Sequence, residues 1–280
     1  MIFFTRAILF FCASLLYFND ISAQELFVFS EPASNMPAKS VSAKYTAKFV
    51  EVKTHETKLE QRHSPEIMLG INKNWMVHGA VSFSDMYSNQ VRWESARVYA
   101  KYRFLSNDEV HRHFRMAAFG EVSQSRNKLT YEEISFEGDQ SGIQAGIIAT
   151  QLWKKFALSS TVSALQVTTA RPKVNADHYT YQAFNYSVSA GLLVLPFEYT
   201  SYNQTNLNIY AELLGQQSLD KSLYYVDLAP ALQLIFRSAY KLNMGYRFQL
   251  NSNMHRMAKN SFQIGLEVVF LNALKKKDKI

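Results

Sequence analysis

Val41-Ser42-Ala43-Lys44-Tyr45-Thr46-Ala47-Lys48-Phe49 is apolar at every odd position and polar or charged at every even one. A strand points successive side chains to opposite faces, so this segment has one oily face and one wet face. The same alternation restarts about twelve times between Ser40 and Phe270. A chain that does this over nearly its whole length, behind an export signal, reads as an all-β transmembrane antiparallel up-and-down barrel. Lipid then meets one face and water the other.

The strands read from the pattern are Ser40 to Lys53, Glu66 to Lys73, Met76 to Asp85, Trp93 to Phe104, Phe114 to Ser125 and Ser141 to Leu152. They continue with Phe156 to Thr169, Tyr179 to Leu195, Asn206 to Leu214, Leu223 to Phe236, Tyr240 to Leu250 and Ser261 to Phe270. Connections after even strands are mostly short. Those after odd strands are mostly longer and polar, such as 126–140. Outer-membrane barrels pair short periplasmic turns with long external loops, and an even strand count places both termini in the periplasm. A soluble sandwich would also alternate, but it does not explain the loop-length parity.

The N-terminus reads as a secretory signal over residues 1–23. Arg6 precedes the apolar run Ala7 to Phe18, and Ser22-Ala23 offers a cleavage point before Gln24. The run is shorter than the roughly 20 residues a spanning helix needs. Cys12 is the single cysteine and lies inside that signal, so the mature chain is expected to use neither disulfides nor thiol chemistry. Residues 24–39 form a proline-bearing lead-in that sits in the periplasm or enters the barrel as a plug. Residues 40–270 form the barrel, and 271–280 a polar, basic tail. The 20 Phe, 16 Tyr and 3 Trp suit the two membrane interfaces.

The net charge is +7 and the pI about 9.3. The basic residues are scattered singly along strands, and no recognition helix or stacking motif accompanies them, so nucleic acid is not an expected partner. The expected partners are outer-membrane lipid, the barrel assembly machinery during biogenesis, and a small polar solute.

Gln263-Ile264-Gly265-Leu266-Glu267-Val268-Val269-Phe270 resembles the terminal-strand signal read by the barrel assembly machinery. It has a polar residue, a glycine, then spaced hydrophobic residues ending in an aromatic. The tail after Phe270 departs from that pattern. Glu31-Pro32-Ala33-Ser34-Asn35-Met36-Pro37-Ala38 and Val98-Tyr99-Ala100-Lys101-Tyr102-Arg103-Phe104 resemble a family of Bacteroidota outer-membrane barrels to which no activity is assigned. The resemblance implies an outer-membrane location and transfers no catalytic residue.

With Val41, Ala43 and their equivalents facing lipid, the lumen collects charge. The inward set is Lys44, Lys48, Arg97, Lys101, Arg103, Arg115, Lys241 and Arg247 against Glu66, Glu121, Glu212, Asp227 and Glu267. That excess of cations predicts a mildly positive interior, which suits passage of anions or small polar solutes. The opposing expectation is a network of paired charges that fills and rigidifies the lumen, because twelve strands lie between filled eight-stranded barrels and open sixteen-stranded porins.

Asn253-Met254-His255-Arg256-Met257, and Met68, Met76 and His78, offer thioether and imidazole groups of the kind Cu(I) takes. The methionines read more simply as lipid-facing strand surface, and no cofactor or metal site is assigned. His111 and His113 read as solvated turn residues beside Asp108 and Glu109. A barrel hydrolase would need a nucleophile with an oriented histidine. No G-x-S-x-G pattern appears, and His63 and Ser64 are neighbours that face opposite ways. The reading is therefore a non-enzymatic channel, with a filled structural barrel and a barrel hydrolase as alternatives.

Overall fold

Twelve antiparallel strands close on themselves in the computed structural model. It describes residues 27–53, 57–110, 112–170, 179–198, 203–220 and 222–275. The strands are β1 (Ser40–Lys53), β2 (Thr57–Gly70), β3 (Trp75–Ser84), β4 (Arg92–Glu109), β5 (Arg112–Ser125), β6 (Gly142–Trp153), β7 (Phe156–Val167), β8 (Gln182–Leu195), β9 (Asn206–Ser218), β10 (Tyr224–Phe236), β11 (Tyr240–Ser252) and β12 (Asn260–Phe270). Each pairs with its neighbours in sequence, and β1 pairs with β12 to close the barrel without an edge. The expected signal at 1–23 and the second half of the basic tail, 276–280, lie outside the described residues, as does His111.

The alternation sets the faces. Val98, Val122, Ile147, Val162, Ile209 and Leu266 stand on the outside and are widely exposed. Their sequence neighbours Arg97, Ser123, Ile148, Ser163, Asn208 and Glu267 turn inward. An apolar exterior continuous around a closed sheet is what a bilayer requires, since every backbone group is already paired.

Two connections depart from the expected parity. β2 begins at Thr57 rather than Glu66, so only residues 54–56 separate it from β1. The polar stretch Leu59 to Pro65 looks like a loop. It nonetheless pairs rung by rung with β1, from Ser40↔Gly70 to Lys53↔Thr57. Pro65, opposite Tyr45, lacks an N–H but interrupts this long ladder at one position only. The connection after β8, residues 196–205, is longer than its place predicts. The remaining connections at that end, 71–74, 110–111, 154–155 and 237–239, are short turns; this is the turn end of the barrel, and the opposite one is the loop end.

The register makes a direct test available. Val162 is outward and Thr161, beside it, lines the interior. Val162→Arg should cost roughly 2–4 kcal/mol in a lipid-reconstituted unfolding titration, and Thr161→Arg much less. Equal costs would mean the faces are reversed. Asn208, although inward, is a poor control. It is 2% exposed and donates to Gln233 Oε1 at 3.3 Å, so a larger charged side chain would break a buried contact.

Candidate functional site

Two segments enter the lumen, one from each end. The first is residues 27–39, a strap across the turn end. Glu212, on β9, takes three successive strap amides: Val28 N and Phe29 N donate to Oε1 at 2.8 and 2.9 Å, and Ser30 N to Oε2 at 2.9 Å. Lys101, on β4, donates to Pro32 O at 2.7 Å and Ser34 O at 2.9 Å, and pairs with Glu31 at 3.1 Å. Arg115 Nη1 donates to Ser34 Oγ at 3.0 Å. Ala33 N donates to Thr150 Oγ1 at 2.9 Å. Phe27 packs on Tyr210, Ala157 and Ala231. Phe29 rests on Gly245, where an added Cβ would come within 2.5 Å of the ring, so only glycine leaves that seat open. Of the two expectations for the lead-in, the structure places the described part inside the barrel.

The second segment is the β5–β6 connection, residues 126–141, which folds inward from the loop end. Leu129, Ile134 and Phe136 are buried against Leu165, Val167, Tyr181 and Ala183. Gln216 holds Ile134 both ways, accepting from its N–H and donating to its C=O, each at 2.9 Å. Arg62 donates to Glu94 Oε2 at 3.1 Å and to Asp139 Oδ1 at 2.6 Å. Gly138, at φ +153°, brings the loop backbone so close that a Cβ would sit 2.8 Å from Arg62 Cζ.

A second knot joins this loop to the β11–β12 connection. Arg256 reaches Glu133 at 2.9 Å and Asp227 at 2.6 Å, and lies 3.9 Å over the Tyr225 ring. Arg247 reaches Asp227 at 2.6 Å and Glu133 at 3.3 Å.

Glu133 lies in a connection rather than a strand. Burial alone would push its carboxyl up, but the Arg256 and Arg247 guanidiniums outweigh that and hold it below the usual carboxylate range. A carboxylate depressed in the folded state contributes stability that is fully present above the unfolded value. It is lost only as pH falls through the folded one. Protection of the 129–137 amides, relative to the free-chain exchange rate at each pH, should therefore hold from pH 8 down to about 5 and fall only below about 4. A loss of protection near neutral pH would contradict the pin.

Between strap and loop lies a chamber of about 300 Å³, lined by Lys44, Lys48, Arg62, Arg97 and Arg247 and by Glu31, Glu66, Glu121 and Glu137. A second space of about 240 Å³ toward the loop end shares Lys48, Arg97, Glu137 and Arg247 as walls and adds Glu133 and Arg256. Of the lumen residues expected from sequence, Lys44, Lys48, Glu66, Arg97, Glu121 and Arg247 line the chamber. Lys101 and Glu212 hold the strap instead. Lys241 and Glu267 form a buried pair at 3.1 Å, and Asp227 belongs to the arginine knot. Arg103 is half-buried at the turn end. Arg115 spans from the strap to Asp108, at 2.8 Å, in the exposed β4–β5 hairpin.

The interior is not the positive one that the strands alone predict. The strap and the loop bring in Glu31, Glu133, Glu137 and Asp139, and these meet the excess cations. Lys48 pairs with Glu137 at 3.4 Å, and Arg97 with Glu66 at 3.2 Å and Glu121 at 3.7 Å. Lys44 sits in register between Glu66 on β2 and Glu267 on β12. Arg62, Glu94, Glu133, Asp139 and Arg256 were not in the expected set.

Met68 and Met76 also differ from expectation: both are buried on the inner face, not on lipid. In the β11–β12 connection, Met254 is buried, His255 N donates to Glu132 Oε2 at 2.6 Å, and the His255 ring lies 5.3 Å from that of Tyr131. These groups dock one connection on another. His113 is partly exposed and 2.9 Å from Asp108. His63 faces out, accepting or donating to Tyr45 Oη at 2.6 Å, while Ser64 lines the chamber.

No protein-family model matches the chain, and no curated protein matches it. Among solved structures, an outer-membrane channel from Pseudomonas putida F1 superposes with a TM-score of 0.59 at 9% identity, covering 87% of this chain and 100% of the channel. The KdgM porin superposes with a TM-score of 0.51 at 9% identity, covering 81% of this chain and 98% of the porin. At this identity the likeness is one of fold: the chain has the architecture of outer-membrane barrels.

Proposed function

We propose that the protein is a non-enzymatic outer-membrane channel for small polar solutes, exported by its N-terminal signal, with both termini and the strap in the periplasm. The observation that carries this reading is the polar chamber enclosed by a barrel whose outside is apolar. A water-filled interior between two partial partitions lets a small solute shed little hydration on the way through. The two outer-membrane proteins of like fold, one a channel and the other a porin, support it. The terminal-strand pattern supports insertion by the barrel assembly machinery. The lead-in and β4 text support membership in the Bacteroidota family they resemble.

Because the chamber's cations are paired with carboxylates, its ion selectivity should be weak, not strongly anionic. The full mature chain reconstituted in a planar bilayer should give small, steady unit currents with an anion-to-cation permeability ratio near one. A second reading has its own support. The Arg62, Arg247 and Arg256 networks occupy much of the loop-end lumen, as a filled structural barrel would require. Absence of current, together with no solute flux in liposome swelling, would replace the channel by that reading.

A further inference from the structure

On the β3–β4 side of the chamber, two neighbouring side chains each carry a buried polar atom without a hydrogen-bond partner among the described residues. Tyr99, on β4, is 4% exposed, and its hydroxyl has no hydrogen-bond partner among the described residues. His78, on β3, is 5% exposed; its Nδ1 lies 3.1 Å from Glu66 Oε1, and its Nε2 is unpartnered among the described residues. The two rings lie 4.3 Å apart, and both residues line the chamber. Buried polar groups in native proteins are nearly always paired, and an orphan that borders a cavity marks where a ligand would pay the missing bond.

The chemistry of the surroundings selects the ligand. The chamber's cations face carboxylates, so an entering anion finds no cation left uncompensated. A phenol can donate and accept, and with Nδ1 turned to the Glu66 carboxylate the His78 ring offers a ligand one atom, Nε2. Their natural complement is a hydroxyl, which can donate to one and accept from the other; a carboxylate only accepts and an ammonium only donates. Across the chamber, on β6 to β8, the wall is neutral: Gln144, Thr161, Ser163, Asn185 and Ser187. The Tyr99 ring stacks on Phe119, with centroids 5.3 Å apart and planes 22° apart, so an apolar surface adjoins the unpartnered hydroxyl. A compact polyol presents hydroxyls at its edge and C–H groups on its face. The volume, about 300 Å³, is at the small end for ligand pockets and suits a single ring, not a chain.

We infer that the chamber is a binding site for a neutral polyhydroxyl solute the size of a monosaccharide. Tyr99 Oη and His78 Nε2 hydrogen-bond its hydroxyls, and the amide and hydroxyl wall of β6 to β8 takes its far edge. This deepens the channel reading, on which it rests for the route by which the solute arrives.

The test is isothermal titration of the full mature barrel in detergent with glucose, galactose, mannose, xylose and myo-inositol, and with gluconate as the anionic counterpart. At least one neutral polyol should bind, and gluconate more weakly. Tyr99→Phe, which keeps the stacked ring, should weaken that polyol about three- to tenfold while the barrel still shows its heat-dependent gel shift. His78→Leu, which also takes a partner from Glu66, should weaken it too, provided the same gel shift shows the barrel folded. Binding of none of the neutral panel, tighter binding of gluconate, or unchanged affinity in folded Tyr99→Phe and His78→Leu would overturn the site. Calorimetry needs no conduction. A barrel that binds a polyol but passes no current loses the channel reading and keeps the site, and a conducting barrel that binds none does the reverse.

Discussion

Replacing Arg62 with methionine is expected to lower the unfolding free energy by about 3–5 kcal/mol. The guanidinium is 3.1 Å from Glu94 and 2.6 Å from Asp139, and all three side chains are withdrawn from solvent. Removing the cation leaves two carboxylates buried without a counter-charge, which is worse than never having had the pair. The loss should appear as a lower urea midpoint for the vesicle-inserted barrel. The triple change Arg62→Met, Glu94→Gln, Asp139→Asn should recover most of it, because no charge is then stranded. A single variant within about 1 kcal/mol of wild type would show that the trio behaves like a solvated surface pair, and that other contacts hold the inward loop.

The second large effect is on conduction. Deleting residues 27–38 removes the partition at the turn end. Glu212→Gln and Lys101→Met should accompany the deletion, since both charges lose their strap partners. The unit current is expected to rise severalfold, and solutes that the intact barrel excludes should enter liposomes in a swelling assay. An unchanged current would place the narrowest point at the inward loop, not the strap.

The fold was readable in the sequence because a two-residue period is local. Val98 is outward and Arg97 inward whatever the rest of the chain does, and long alternating runs such as β1 and β11 announce themselves. β2 was only half visible, since Gln61, His63 and Pro65 on its outer face break the apolar pattern that marks a lipid-facing strand. Strand parity was enough to turn Lys44, Glu121 and Arg247 inward. It could not reveal that Lys101 and Glu212 serve the strap, because their partners lie far away in sequence. Nor could it foresee the charge balance, which depends on Glu133 and Asp139 returning from a loop. One sign was available: Leu129, Ile134 and Phe136 are too apolar for a connection that stays in water.

The grip of Glu212 on the strap also dictates an order of events. Val28 is separated from Glu212 by 184 positions, and Val28 O accepts from Gln263 across 235. Such pairings carry a large loop-closure cost and reward the chain only after the intervening strands have formed. The strap's first residues can find their hydrogen-bond partners only when β9 and β12 stand in place. The segment synthesised earliest is thus among the last to be seated. Protection of the Val28, Phe29 and Ser30 amides would serve as a timer for ring closure during insertion, rising only after the amides of β1 to β12 have already slowed.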